Sequence, residues 1–324
     1  MKSDILLDIE NLRTYFFIRG GVLKAVDDVS LVINEGETLG LVGESGCGKS
    51  ITASSIMGLI PKPSGKIVGG SILFNGVDLV KLPESRMKKL RGCEISMIFQ
   101  EPMTSLNPVY KVGDQVGESI RLHQKLNRKE AKEKTIHMFD LVGIPDPRIR
   151  INEYPHQMSG GMRQRVMIAM ALGCNPRLMI ADEPTTALDV TIQAQIIDLM
   201  NKLKEEVGSS ILFITHDLGV IAEVAQNVAV MYAGKIVEYA DVETLYSKPK
   251  HPYTIGLMNS IPKLNNSRMK RLHTIKGVVP SLFNLAEGCA FYERCPDAEK
   301  HCVEKTPELK AINAIHKVRC FKYE

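Results

Sequence analysis

The stretch Gly43-Glu44-Ser45-Gly46-Cys47-Gly48-Lys49-Ser50 constrains this chain more than any other segment. It fits the pattern G-x-x-x-x-G-K-[ST] and lies between a buried-strand run, Thr38 to Val42, and a helical run from Lys49 to Leu59 closed by Pro61. Strand, glycine-rich turn and helix is the context such a loop needs. Successive backbone N–H groups then curl round a phosphate, and the helix N-terminus adds positive dipole. Lys49 reaches the β/γ-phosphates, and Ser50 offers its hydroxyl to Mg²⁺.

The flanking segments predict an α/β fold. Alternation over Leu6 to Phe16 and Lys24 to Ile33 predicts antiparallel β-structure with a turn at Gly20-Gly21. Residues 83–155 read as helical and charged, notably Arg128 to Val142, an insertion placed at about 84–158. Strand Leu178 to Ala181, helix Val190 to Glu206, strand Ile211 to Ile214 and a short helix after Asp217 follow, an order that predicts a mostly parallel sheet. Beyond Lys248 patterning weakens and prolines multiply, which divides the chain into 1–248 and 249–324.

Composition narrows the class. The 324 residues are enough for one large domain and an extension, and 44% hydrophobic with 24% charged residues is the usual globular mixture. No run approaches the ~20 apolar residues of a bilayer-spanning helix. The N-terminus has acids within its apolar run, so it does not read as a signal peptide, and a cytoplasmic chain is expected. The net charge of +4 does not argue for nucleic acid, although from Lys248 onward 14 basic residues face 7 acidic ones.

Two further motifs carry chemistry. Leu178 to Glu183 ends a buried strand on two acids, which suits Asp182 to hold Mg²⁺ and Glu183 to act as general base on a water. Tyr154 to Arg165 sets Ser159, Gly160 and Gly161 at the start of an apolar helix running to Gly173, with Ser159 as its N-cap.

The three motifs, their order and their spacing resemble the ATP-binding subunits of ABC transporters over about residues 5 to 245. The resemblance implies a P-loop NTPase ABC cassette with an antiparallel β subdomain, a helical insertion and a small C-terminal cysteine-rich extension. It implies ATP and Mg²⁺ as ligands, with Gly43 to Ser50 and the adjoining Ile51 around the phosphates. By that likeness Ser159, Gly160 and Gly161 face the γ-phosphate held by a second ATPase subunit, a paralogue or a second copy. Gln100, after strand Ile95 to Phe99, resembles the glutamine that touches Mg²⁺, and His216 the histidine that contacts the γ-phosphate. Ala187-Leu188-Asp189 resembles the loop linking the two subunits' sites, and Phe16, rather than Tyr15, the adenine-stacking aromatic. Met162 and Met158 depart from the family pattern, where glutamine and leucine are usual.

A second resemblance, to the dipeptide and oligopeptide permease ATPases, rests on IFQEPMTSLNP at Ile98 to Pro108 and KHPYTIGLMNSIP at Lys250 to Pro262. It implies peptide uptake with two transmembrane permease subunits and, indirectly, an extracytoplasmic peptide-binding receptor. The location implied is the cytoplasmic face of the membrane, with Glu101 to Tyr110 meeting a permease helix. Uptake of nickel or a glycosidic compound, and a non-transport ATPase, are the alternatives. That branch carries a cysteine-bearing tail, matched by Cys289, Cys295, Cys302 and Cys320. Spaced C-x5-C-x6-C-x17-C in a reducing compartment, these argue against disulfides. A [4Fe–4S] cluster suits the wide spacing better than zinc, which prefers paired knuckles, and free thiols are a third reading.

Overall fold

The computed structural model describes residues 4–100, 105–186, 188–261, 274–283, 285 and 287–324. In chain order, strands β1 Ile5–Ile18, β2 Gly21–Asn34 and β3 Thr38–Val42 precede helix α1 Lys49–Ile56, then β4 Gly65–Phe74 and β5 Val77–Asp78. Helix α2 Glu84–Leu90, strand β6 Ile95–Ile98 and helices α3 Val112–Gln124, α4 Arg128–Leu141, α5 Pro147–Arg150 and α6 Gly160–Leu172 follow. Next come β7 Leu178–Asp182, α7 Val190–Val207, β8 Ser210–Thr215, α8 Leu218–Val224, β9 Asn227–Tyr232 and β10 Lys235–Asp241. Helices α9 Val242–Ser247, α10 Pro252–Ser260 and α11 Lys300–Glu304 and the short strands β11 Lys310–Ala311 and β12 Lys317–Val318 complete the chain.

Two compact units result: Met1–Ile33, Thr38–Lys81 and Ile214–Glu324 form one, Asn34–Glu37 and Leu82–Phe213 the other. In the first unit, one sheet has the order β2-β1-β4-β5. The turn between β1 and β2 falls at Arg19-Gly20, one residue earlier than the glycine pair suggests, with Gly20 at φ +96°. Strand β4 is hidden in the sequence because GKIVGGSILF alternates poorly. Gly70, at φ +83°, sits opposite a register shift between Glu10 and Arg13 of β1, and a Cβ there would lie 2.5 Å from Asn11 O.

The same unit holds the neighbours β3, β9, β10, β12 and β11. β3 and β9 run parallel, with Leu39 opposite Asn227, whereas β9 and β10 form a hairpin. Its turn, Ala233-Gly234, has both residues at positive φ, the geometry that matches strand twist. β12 then pairs antiparallel with β10, Glu238 opposite Val318, so the C-terminal residues extend this sheet. Every residue of β3 is buried, which explains its unbroken apolar run.

In the second unit β6 pairs parallel with β7, with β8 as the next strand. Side chains cap several of its helices. Asn127 and Glu130 form a capping box at α4, and Asp189 caps α7. α7 buries Ile196, Ile197, Met200 and Leu203 along one stripe and stops at Gly208, φ +73°. α1 ends at Ile56 instead of reaching Leu59, because Gly58 turns left-handed at φ +62°. No helix among the described residues is long and apolar enough to cross a membrane.

Candidate functional site

The loop leaves β3 and enters α1 in the first unit. Gly48 is the helix N-cap at φ +111°, and a Cβ there would lie 2.3 Å from Ala25 O and 2.6 Å from Met231 Cε. Gly43 is equally confined, since a Cβ would lie 2.2 Å from Met231 O. No side chain caps α1, so the first-turn N–H groups are left to an anion. Ser45 and Gly46 are exposed at the crest, Ser50 and Ile51 are half-buried in the first turn, and Cys47 is fully buried. Lys49 is nearly buried and donates from Nζ to Gly43 O at 2.7 Å and Glu44 O at 3.1 Å, which holds its ammonium against the loop.

Glu44 is held from two sides. Its backbone N–H donates to Tyr253 Oη at 2.9 Å, and its carboxylate pairs with Arg294 at 2.6 and 3.0 Å. Phe16 lies over Gly65, where a Cβ would come within 2.8 Å of its ring, whereas Tyr15 donates its hydroxyl to Asp27 at 2.6 Å. His216 is exposed just beyond β8.

In the second unit Asp182 and Glu183 close β7, both nearly buried. Glu183 adopts φ +48°, an unusual backbone for a glutamate, and its Oε2 accepts from Gln100 Nε2 at 3.1 Å and Thr186 Oγ1 at 2.9 Å. Gln100 and Glu183 are 83 residues apart in sequence yet share one hydrogen bond. Thr186 is a partner that the motif reading misses, since a lone threonine carries no signal. Ser159 caps α6, its Oγ accepting from Met162 N at 3.3 Å, and Ser159 and Gly160 are exposed. Met162 therefore fills a backbone role, and Met158 is core. Asp189 Oδ1 accepts from Ile192 N at 3.0 Å. Ala187 and residues 101–104 of the segment from Glu101 to Tyr110 lie outside the described residues, as does Pro262.

Cys289, Cys295, Cys302 and Cys320 line a single cavity of about 170 Å³ in the first unit. Burial pushes the Cys289 thiol up to about 11; a hydrogen bond at Phe291 opposes the rise, and Cys302, Cys295 and Cys320 add to it. Burial raises Cys295 and Cys320 as well. Burial therefore favours the protonated thiol at Cys289, Cys295 and Cys320. Among the described residues no group of three His, Cys, Asp or Glu side chains could hold a single metal ion. The four cysteines surround a space instead.

Comparison with known proteins agrees with this cassette. The family model described as ABC transporter matches residues 26–186, and the oligopeptide/dipeptide transporter C-terminal region matches 237–302. The chain belongs to the family of ABC transporter ATP-binding proteins, which are ATPases. It is 54% identical to a probable peptide ABC transporter ATP-binding protein, y4tR, of Sinorhizobium fredii, over 99% of this chain and 96% of that one. Identity to the Bacillus subtilis oligopeptide transport ATP-binding protein AppD is 51%, covering 98% of this chain and 97% of the relative. For the dipeptide transport ATP-binding protein DppD of the same organism it is 49%, covering 98% and 94%. Among solved structures, the dimeric ATP-binding cassette MJ0796 bound to ADP and Pi superposes with a TM-score of 0.66 at 26% identity, covering 73% of this chain and 98% of that one.

Proposed function

We propose that this chain is the ATP-hydrolysing subunit of an importer that carries dipeptides or oligopeptides across the cytoplasmic membrane. The observation that carries the reading is that identity to peptide-transport ATP-binding proteins runs the whole length, through the C-terminal region at 237–302 as well as the cassette. The subunit sits peripherally on the cytoplasmic face and pairs with a second ATPase subunit. It drives two permease subunits and meets the peptide-binding receptor only through them.

Within that reading, ATP supplies the phosphoanhydride bond that water cleaves. Backbone N–H groups of Gly43 to Ser50 bind its phosphates, Lys49 offsets their charge, and Ile51 borders them. Phe16 stacks on adenine. Ser50, Gln100 and Asp182 hold Mg²⁺, and Glu183 takes a proton from the attacking water. Gln100 and Thr186 support this assignment, because both orient the carboxylate that must act as base. His216 contacts the γ-phosphate. Ser159, Gly160, Gly161 and Asp189 complete the partner's site, as an exposed helix N-terminus suits an anion.

The four cysteines hold a [4Fe–4S] cluster that staples the C-terminal segment; the cavity that all four line supports it. Anaerobic purification with iron and sulfide analysis tests it: about four of each per chain is expected, and zinc without iron overturns it.

The function itself is tested by ATPase assay and nucleotide binding. Glu183→Gln should retain ATP and lose turnover by about 10²- to 10⁴-fold. Undiminished hydrolysis would remove Glu183 as base. Peptide uptake in vesicles carrying the permease subunits should depend on the chain, and uptake of nickel alone would replace the substrate class.

A further inference from the structure

Arg294 belongs to the C-terminal segment, yet its guanidinium lies at the phosphate loop. Its Nη1 donates to Glu44 Oε2 at 2.6 Å and its Nη2 to Glu44 Oε1 at 3.0 Å, a bidentate pair across 250 residues of sequence. Two further donors of the guanidinium are also engaged. Nε reaches Lys276 O at 3.0 Å, and Nη1 also reaches Tyr232 Oη at 3.3 Å. The Arg294 side chain is 5% exposed and that of Glu44 29%, so this is not a solvated surface pair. A bidentate pair largely withdrawn from water is geometrically specific, and losing one partner strands the other.

The elements round the pair are hydrogen-bonded and packed together. Arg294 ends a tight turn in which Tyr292 N donates to Cys289 O at 2.9 Å and Arg294 N to Phe291 O at 3.0 Å. Phe291, Tyr232 and Tyr253 pack with ring centroids 4.6 to 5.5 Å apart. Tyr253, from this cluster, also receives the Glu44 N–H. Backbone and carboxylate of the loop's second residue are thus both fastened to one aromatic-lined block.

The loop in turn anchors Lys49, because Gly43 O and Glu44 O are the two carbonyls its ammonium contacts. A shift at Glu44 therefore moves the acceptors that aim Lys49 and the first N–H groups of the phosphate nest. We propose that Arg294 is a positioning residue for nucleotide binding, holding the phosphate loop in its receptive shape through Glu44. This rests on the reading of Gly43 to Ser50 as the ATP site. It makes the C-terminal segment part of the apparatus for binding ATP.

The experiment measures ATP KM and kcat, and ADP affinity, on the full chain for Arg294→Gln, Glu44→Gln, the double variant and Arg294→Lys, with thermal unfolding of each. Arg294→Gln should raise KM and weaken ADP by about tenfold, with kcat at saturating ATP within about twofold. Glu44→Gln should do the same, the double variant no worse than either, and Arg294→Lys should recover part of the loss. Effects that multiply in the double variant would show that Arg294 does not act through Glu44 and would overturn the proposal. Unchanged KM and ADP affinity in a folded Arg294→Gln would overturn it too. If that variant fails to fold, unchanged ADP affinity in Glu44→Gln does so instead. Lys49→Ala separates the two readings. If it loses ATP while Arg294→Gln does not, only the positioning role fails; if Lys49→Ala binds ATP normally, the site reading itself fails.

Discussion

Gly48 combines a left-handed backbone with close confinement by neighbouring backbone. Its left-handed backbone and the 2.3 Å approach to Ala25 O leave no room for a methyl group. Gly48→Ala should therefore lower Tm by several degrees and remove measurable ATP binding, as calorimetry and nucleotide titration would record. Asp27 gives a pH-dependent counterpart. Burial works against its charge, but hydrogen bonds from Lys235 at 2.6 Å and Tyr15 at 2.6 Å outweigh it and hold the carboxyl below its ordinary value. A folded pKa below the unfolded ~3.9 means the pair stabilises fully above about pH 5 and fades as pH falls through the folded value. Asp27→Asn should cost about 1–3 kcal/mol at pH 7, and the difference from wild type should shrink on acidification below about pH 4, as denaturant melts at both pH values would show.

At the scale of elements, α6 depends on its start. Ser159 supplies the cap, its Oγ accepting from the Met162 N–H, at an exposed helix end that continues into Gly160. Ser159→Ala should cost about 1 kcal/mol of stability. It should also weaken ATP-dependent pairing with the second subunit more than it weakens ATP binding by the single chain, which light scattering beside nucleotide titration distinguishes. Elements of this kind were legible from their residues: β3 and β7 as unbroken apolar runs, α7 by its stripe and its closing Gly208. β4 was not, since its glycines erase the alternation and its identity as a strand comes from pairing with β1. The β9–β10 hairpin is likewise not legible in the sequence, because Ala-Gly is a weak turn signal until both residues are seen at positive φ.

At the scale of the whole molecule, the last segment is woven into the first unit. Phe283 bridges to Leu23, Arg319 reaches Asp28 and Ile236 O, and β12 covers β10. Beneath β12 the buried Glu238 accepts from Lys250 N at 2.7 Å, His251 N at 2.8 Å and His316 Nε2 at 2.7 Å. Glu238→Ala strands all three donors, so a loss of about 3–5 kcal/mol is expected in chemical denaturation, with the C-terminal residues becoming protease-sensitive first.

The chain's own residues determined the cassette class, the phosphate loop, the acid pair and the capped helix. Each is a local pattern in which neighbours in sequence are neighbours in space, so spacing alone carries the chemistry. Only tertiary structure decided that Gln100 and Thr186 meet on Glu183 and that Arg294 reaches Glu44. Apart from that of the near neighbour Thr186, these contacts join residues 83 and 250 positions apart. Their energy comes from burial and satisfied hydrogen bonds, quantities that exist only once the chain has closed on itself.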